Sequence, residues 1–260
     1  MPFRDFGAWQ QQATIGYTDA PGEFERAIDD LIGVKGMSRP SKDELNRHFD
    51  FLLEHPFEWD LWSLKEDFSR TRHLRLADLG SACDLAVLSQ LNWVDLRRVS
   101  VLEIGGGYGR LAEALIRNLG DKIPLEIHMI DVVPSSLDLA NAYLTSSGIS
   151  TVLAAQVGIE KGSFVRLSRA ENLIRVQGES IDLVVNVESF QEMTPEWVSW
   201  YLEEVERVTH VGSYFYQSNS FGYKNIFSLE LGRNWVLEET FIHPRHWTDS
   251  HRTELWRRVS

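Results

Sequence analysis

The apolar positions of this chain change their period near residue 96. Ahead of that point they fall at helical spacing. "SKDELNRHFDFLLEH" (41–55) opens with Ser41 and Glu44 in capping-box spacing, then sets Leu45, Phe49, Leu52 and Leu53 along one side of a helix. "FEWDLWSLKEDF" (57–68) and "RLADLGSACDLAVLSQLNWV" (75–94) continue in the same manner, so residues 1–95 are expected to form a helical N-terminal segment. From Val99 short apolar runs alternate with helical patterns, as β-α units on a parallel sheet require. "VSVLEI" (99–104), "LEIHMID" (125–131) and "IDLVVNV" (181–187) read as buried strands. Between the first two, "RLAEALIRNL" (110–119) spaces Leu111, Ala112, Leu115, Ile116 and Leu119 as one helical face, with Gly120 expected to end the helix in a left-handed conformation. "PSSLDLANAYLTSSG" (134–148) is a second helix, with Pro134 in its first turn and Gly148 at its end. A third, "TPEWVSWYLEEVERV" (194–208), has Thr194 as cap and Pro195 as first residue, and turns Trp197, Val198, Tyr201, Leu202, Val205 and Val208 inward. "VGSYFYQS" (211–218), "NWVLEETFI" (234–242) and "TELWRRV" (253–259) give three further strands. The last two are joined without a helix, so the final strand should run backwards as a hairpin partner. Residues 151–173 show no pattern from which strand boundaries can be set.

Composition narrows the function classes. A formal charge of −12 leaves little room for the basic track that nucleic acid demands, and favours a small neutral or cationic substrate. No run of about eighteen apolar residues crosses a bilayer, and "MPFRDFGAWQQQ" lacks the basic start and apolar core of a secretion signal. These features fit a cytoplasmic protein without membrane partners. The single cysteine, Cys83, is read as core packing, and no Cys/His spacing suits zinc. Nine tryptophans are many for 260 residues; core filling accounts for most of them, and the aromatic surplus leaves a homodimer open.

The chemistry gathers at "VSVLEIGGGYGRLAEALIRNLG" (99–120). Gly105, Gly107 and Gly109 stand between a strand and a helix, where backbone can approach a ligand with no Cβ in the way. The spacing departs from the dinucleotide fingerprint, because Arg110 replaces its third glycine and Tyr108 crowds the pyrophosphate position. Glu103 closes the first strand, where a carboxylate repels a pyrophosphate and attracts an amine or a sulfonium. Asp131 closes the second, from which a carboxylate can accept both ribose hydroxyls. The alternative is that both acids merely terminate strands.

Glu103 with the glycines, followed by Asp131 after one strand-helix-strand, resembles the first two motifs of class I S-adenosylmethionine-dependent methyltransferases. That resemblance implies an α/β, Rossmann-like fold with a mainly parallel seven-stranded sheet, an antiparallel last strand and an N-terminal helical cap. Residues 96–260 would be the cofactor-binding domain and residues 1–95 the cap over the acceptor. It also implies S-adenosylmethionine as cofactor, held by Glu103, Gly105, Gly107, Tyr108, Gly109, Asp131, Val132 and Asn186, with Val132 and Val133 walling the adenine. "NVESFQEMTPEW" (186–197) lacks the Asn/Asp-Pro-Pro-aromatic loop of base-methylating enzymes, and Glu188 and Glu192 are too close together for the paired glutamates of arginine methyltransferases. "VLEIGGGYGRLAEAL", "ESFQEM", "YFYQSNS" and "TELWRR" together are similar to the family of bacterial sugar O-methyltransferases, from about Leu74 onward. Within that family the chain also resembles enzymes acting on mannosides of mycobacterial methylated mannose polysaccharides.

Transfer to a sugar hydroxyl requires in-line approach and removal of the hydroxyl proton. His246 is the first candidate for base, from the loop "HPRHWTDSH" (243–251), with Glu192 and Glu188 as further catalytic candidates. Glu192 could equally serve to cap the helix after Thr194. Gln191, Tyr216, Asn219, His243, Trp247 and His251 are candidates for binding the saccharide, and Ser218 lies among them. Packing is the simpler account of His128 and His48. Mg2+ is an open cofactor: other sugar and catechol methyltransferases use it, but adjacent aspartates are absent, and only Glu188, Glu192, Asn219 and Asp249 could substitute. Two other functions stay open, O-methylation of a non-sugar small molecule and a cofactor-binding protein without catalysis.

Overall fold

The computed structural model describes residues 96–153, 162–220, 231–241 and 251–260, with a few single positions between 81 and 91. The chain divides into two units, Met1–Gln90 and Leu91–Ser260. The helical patterns read at 41–68, together with Cys83, His48 and most of 75–95, lie outside the described residues.

The second unit is built on one eight-stranded sheet. In chain order the elements are β1 (Val99–Ile104), α1 (Arg110–Leu119), β2 (Leu125–Asp131), α2 (Pro134–Ser146), β3 (Thr151–Leu153), β4 (Phe164–Arg169), β5 (Ile181–Val187), α3 (Pro195–Val208), β6 (Thr209–Ser220), β7 (Trp235–Phe241) and β8 (His251–Arg258). The spatial order is β3-β4-β2-β1-β5-β6-β8-β7. Every pair from β3 to β6 is parallel, while β8 runs antiparallel to both β6 and β7 and is wedged between them. This is the expected Rossmann-like sheet with an antiparallel last strand. It holds eight strands because the patternless region supplies two short ones. β3 has three residues, and β4, "FVRLSR", alternates polar side chains into its run.

β1 is almost wholly apolar because both faces of a central parallel strand are covered. Leu111, Ala112, Ala114, Leu115 and Leu119 of α1 are buried, and Ile116 is only half-buried. On the core face that α3 shares, Leu102, Ile104, Ile130, Val184 and Phe215 pack with Phe190, Val198, Tyr201, Val205 and Val208. Trp197 and Leu202, expected inward, lie partly buried at the margin of this cluster.

One capping expectation is corrected and another is met in position only. Gly120 is right-handed, at φ −63°, and its N–H bonds to the Ile116 carbonyl. Its glycine answers crowding: a Cβ there would fall 2.4 Å from the Ile116 oxygen and 2.8 Å from Ser163 Oγ. Thr194 occupies the cap position of α3 but makes no side-chain capping bond. Gly148, by contrast, ends α2 at φ +77°, as its position suggests. Among the described residues no helix is long and apolar enough to cross a membrane.

Candidate functional site

β1 has β2 on one side and β5 on the other, so the strand order reverses there and a crevice opens beyond its carboxyl end. The glycine turn occupies that position. Gly105, Gly107 and Gly109 adopt φ of 71°, 57° and 90°, a region that costs any residue with a Cβ about 1–2 kcal/mol. Space is restricted as well. A Cβ on Gly105 would fall 1.8 Å from Ser189 Oγ, and one on Gly106 would meet Met129 and the Glu103 carboxyl carbon at 2.6 and 3.0 Å. Gly105 and Gly109 thus let the turn pack against Ser189 and Leu144, and the three left-handed residues form a backbone cradle.

Asp131 holds the cradle from the side. Its Oδ2 accepts the Gly107 N–H at 3.3 Å and its Oδ1 accepts the Val133 N–H at 2.9 Å. Burial pushes its carboxyl up to about 6, against the opposing pull of N–H groups from Val133, Gly107 and Val132. Glu103 is buried at the end of β1. Tyr108 stands in the turn with its ring edge-on to Tyr143, 5.1 Å between centroids, and the Tyr143 hydroxyl donates to Glu113 of α1. Asn186 is fully buried at the end of β5 and donates to the Ile104 carbonyl, immediately before the glycines, at 3.0 Å.

A second turn faces this one after β5. Glu188 is left-handed at φ 55°, and its N–H extends the β5–β6 pairing to the Ser218 carbonyl at 2.8 Å. Phe190–Glu192 then form a single 3-10 turn, closed by a bond from the Glu192 N–H to the Ser189 carbonyl. Phe190 anchors it, buried against Tyr201 and Phe215. Gln191 is half-buried and Glu192 reaches the surface. Partial loss of solvent, then repulsion from Glu188 and from Asp131, raises the Glu192 carboxyl above the usual range. The carboxylates of the two turns therefore share one field.

The structure thus gathers Glu103, Gly105, Gly107, Tyr108, Gly109, Asp131, Val132 and Asn186 at the carboxyl ends of β1, β2 and β5, with Glu188, Gln191 and Glu192 alongside. Tyr216 and Asn219, expected at the surface of the crevice, are fully buried in β6, and Ser218 is held by Thr253 at 2.8 Å. His243, His246, Trp247 and Asp249 lie outside the described residues; the backbone of His251 opens β8 opposite Ser220. His128 pairs with Glu126 within β2, at 3.2 Å. Among the described residues no group of three His, Cys, Asp or Glu side chains could hold a metal ion. The sequence reading missed Ser189, which fills the space above Gly105, and Arg169, which ends β4 directly beside Asp131. It also missed Gln217 and Glu254, buried in β6 and β8 behind the second turn. For Ser189 a signal existed, since it follows the end of β5 at the crevice; no local pattern marks the other three.

Residues 102–217 match the family model described as a methyltransferase domain. No curated protein matches the sequence. Among solved structures, the chain is similar to a putative sarcosine dimethylglycine methyltransferase from Galdieria sulphuraria, at 17% identity over 69% of this chain and 84% of that one, TM-score 0.49. It is similar to an rRNA methylase from Streptococcus thermophilus, at 13% identity over 71% and 94%, TM-score 0.44. Phosphoethanolamine N-methyltransferase 1 of Haemonchus contortus, solved with phosphoethanolamine and S-adenosylhomocysteine, matches at 13% identity over 71% and 43%, TM-score 0.48. The matched domain contains the glycine turn, Asp131 and Asn186. The part of the chain that matches a methyltransferase domain is therefore the part that forms the two turns.

Proposed function

We propose that this protein is an S-adenosylmethionine-dependent methyltransferase that transfers the methyl group to a hydroxyl of a sugar or oligosaccharide, with a mannoside as the first acceptor to test. When bound, the cofactor supplies an electrophilic methyl on a positively charged sulfur. The residues present fit it: the turn is bare backbone at its three left-handed glycines, Asp131 can accept ribose hydroxyls, and Val132 is an apolar neighbour. Glu103 and Asp131 place negative charge beside the expected sulfonium.

The observation that carries the acceptor reading is Glu192. Its carboxyl has a raised pKa and lies within the field of Asp131 and Glu188, on a turn that also offers Gln191. A carboxylate whose pKa has been raised is a better base towards a hydroxyl, and Gln191 can bind neighbouring hydroxyls. The net charge of −12 suits a neutral saccharide, and the family resemblance points the same way. A second reading draws on the same feature: three carboxylates around one crevice also suit an amine.

Calorimetry with S-adenosylhomocysteine tests the cofactor site, with binding expected at micromolar concentration. A transfer assay with labelled S-adenosylmethionine then compares methyl mannosides and mannose oligosaccharides with phenols, carboxylic acids and amines. Label in a saccharide hydroxyl is expected. Label only in aromatic or amine acceptors overturns the sugar assignment, and absence of transfer to any acceptor despite cofactor binding favours a non-catalytic protein.

A further inference from the structure

Behind the second turn lies a chain of buried amides that neither turn contains. Asn186 donates to the Ile104 carbonyl from Nδ2, while its Oδ1 accepts the Phe190 N–H at 3.2 Å and Asn219 Nδ2 at 2.9 Å. Asn219 Nδ2 also donates to Gln217 Oε1 at 2.8 Å, and its Oδ1 accepts the Gln191 N–H at 3.4 Å. Gln217 Nε2 donates to Glu254 Oε2 at 3.0 Å, and the same oxygen accepts the Trp256 indole N–H at 3.1 Å. Asn186, Gln217, Asn219 and Glu254 are all at most 5% exposed. The orientation of Asn219 follows from its neighbours: reversing the amide would set its oxygen against two carbonyl oxygens and leave the Gln191 N–H facing an NH2 group.

This wiring has a direction. One end fixes the residue before the glycine turn, the other is rooted in the antiparallel strand β8, and between them the N–H groups of Phe190 and Gln191 are taken up. We propose that Asn219 is a positioning residue that sets the Ser189–Glu192 turn in one register against the glycine turn, so that Glu192 meets the acceptor at a fixed place. The proposal rests on the reading that the first turn receives the cofactor and the second the acceptor. Asn219 does not bind the saccharide: its amide hydrogens and its oxygen face protein partners, and it has no exposed surface.

The test replaces Asn219 in two ways and reads amide hydrogen exchange at Phe190 and Gln191, with S-adenosylhomocysteine calorimetry alongside. Asn219→Ala should lower protection of both amides by about tenfold or more, while the affinity for S-adenosylhomocysteine stays within about threefold because the Asn186–Ile104 bond survives. Asn219→Asp gives a signature that loss of packing cannot imitate. Protonated, the introduced carboxyl can donate to one facing carbonyl oxygen and accept from Gln191; ionised, it can only accept, and it confronts two oxygens. Protection relative to wild type at the same pH should therefore be near normal at pH 5.5 and fall about tenfold by pH 8. The other ionisable groups around it, Glu254 and Arg252 on β8 and Glu188 and Glu192 on the second turn, are common to both proteins, so the ratio reads the change at position 219. Unchanged protection in Asn219→Ala overturns the proposal, as does an aspartate variant whose ratio to wild type does not vary with pH. Should the alanine variant fail to fold, the aspartate variant, compared with wild type at both pH values, carries the test alone. Failure of wild type to bind S-adenosylhomocysteine would instead overturn the cofactor reading, and it leaves the exchange measurement legible.

Discussion

The two turns at the carboxyl edge of the sheet are built by opposite means. The turn after β1 is made mainly of backbone: three left-handed glycines and a carboxylate accepting N–H groups, with Tyr108 between them. The turn after β5 is made of side chains. Its left-handed residue is a glutamate, its anchor is a buried phenylalanine, and its N–H groups are held by amides from β5 and β6. A cofactor that is always the same can be met by fixed backbone. An acceptor that differs between enzymes must be met by groups that can be exchanged without disturbing the sheet. The turns meet where Ser189 Oγ lies in the space that a Gly105 Cβ would need.

That contact offers the most severe way to break the comparison. Gly105→Ala forces a methyl group to 1.8 Å from Ser189 Oγ at a φ of 71°. The conformational cost of about 1–2 kcal/mol and the overpacking cost of about 1–3 kcal/mol add. Binding of S-adenosylhomocysteine should fall by roughly a hundredfold or more, measured by calorimetry. Adding Ser189→Gly removes the overlap but not the strained φ. The double variant should therefore recover only part of the loss. Full recovery would mean that φ matters little here, and no recovery that Ser189 is irrelevant.

Next in size is Glu192→Gln. If Glu192 is the base, methyl transfer should fall about a hundredfold, within the usual range for removing general-base assistance, with cofactor affinity nearly unchanged. The base acts ionised, so turnover should rise with pH along a limb set above the ordinary glutamate range, because desolvation, Glu188 and Asp131 all raise that carboxyl. Glu188→Gln removes one of the repelling charges and should move the limb to lower pH. A limb that stays in place in Glu192→Gln would shift the assignment to His246.

Asp131→Asn comes third and separates ligand from fold. S-adenosylhomocysteine affinity should drop by about 1.5–3 kcal/mol from the lost charge-assisted bonds. The pH dependence has two opposite signs. The folded carboxyl titrates near 6 against 3.8 in the open chain, so between those values the folded state holds a proton that the unfolded chain has released. This group's contribution to the stability of the free protein is full below about 4 and lost as pH rises through 6. Ligand binding needs the carboxylate, so affinity should rise across the same window. Asp131→Asn should flatten both curves, seen in denaturant titrations and calorimetry at matched pH.

How much of this could be read in advance follows the same division. β1, β2, β5, α1, α2 and α3 were legible because their apolar period is local, and the glycine turn because left-handed backbone leaves glycines in the sequence. β3 and β4 were not, since three residues carry no period and "FVRLSR" places polar groups on a partly covered strand. Glu188 and Glu192 could be named as candidates from their place after β5. The amide chain from Asn186 to Glu254 could not, because its members are separated by up to 68 residues in the sequence and meet only through strand register. The sequence points to Asn219 as a ligand for sugar hydroxyls for the same reason: it gives the place at a strand end but not the partners that occupy the side chain.

The smallest expected effect bears on why the second turn tolerates a glutamate in a left-handed position. Glu188 and Glu179 are the two non-glycine residues at positive φ among those described, at 55° and 54°. Glycine at either site relieves about 1 kcal/mol of strain, partly offset by the freedom it adds to the unfolded chain. Glu179→Gly, in the turn ahead of β5, should therefore raise the melting temperature only slightly, by about 2 °C or less. Glu188→Gly should raise it further, because it also removes a charge that repels Glu192. If strain at position 188 serves the acceptor turn, the two variants part company in the transfer assay: Glu179→Gly keeps wild-type turnover, and Glu188→Gly is the more stable and the less active protein. Equal turnover in both would make Glu188 a structural oddity of the turn and leave Glu192 as its one working carboxylate.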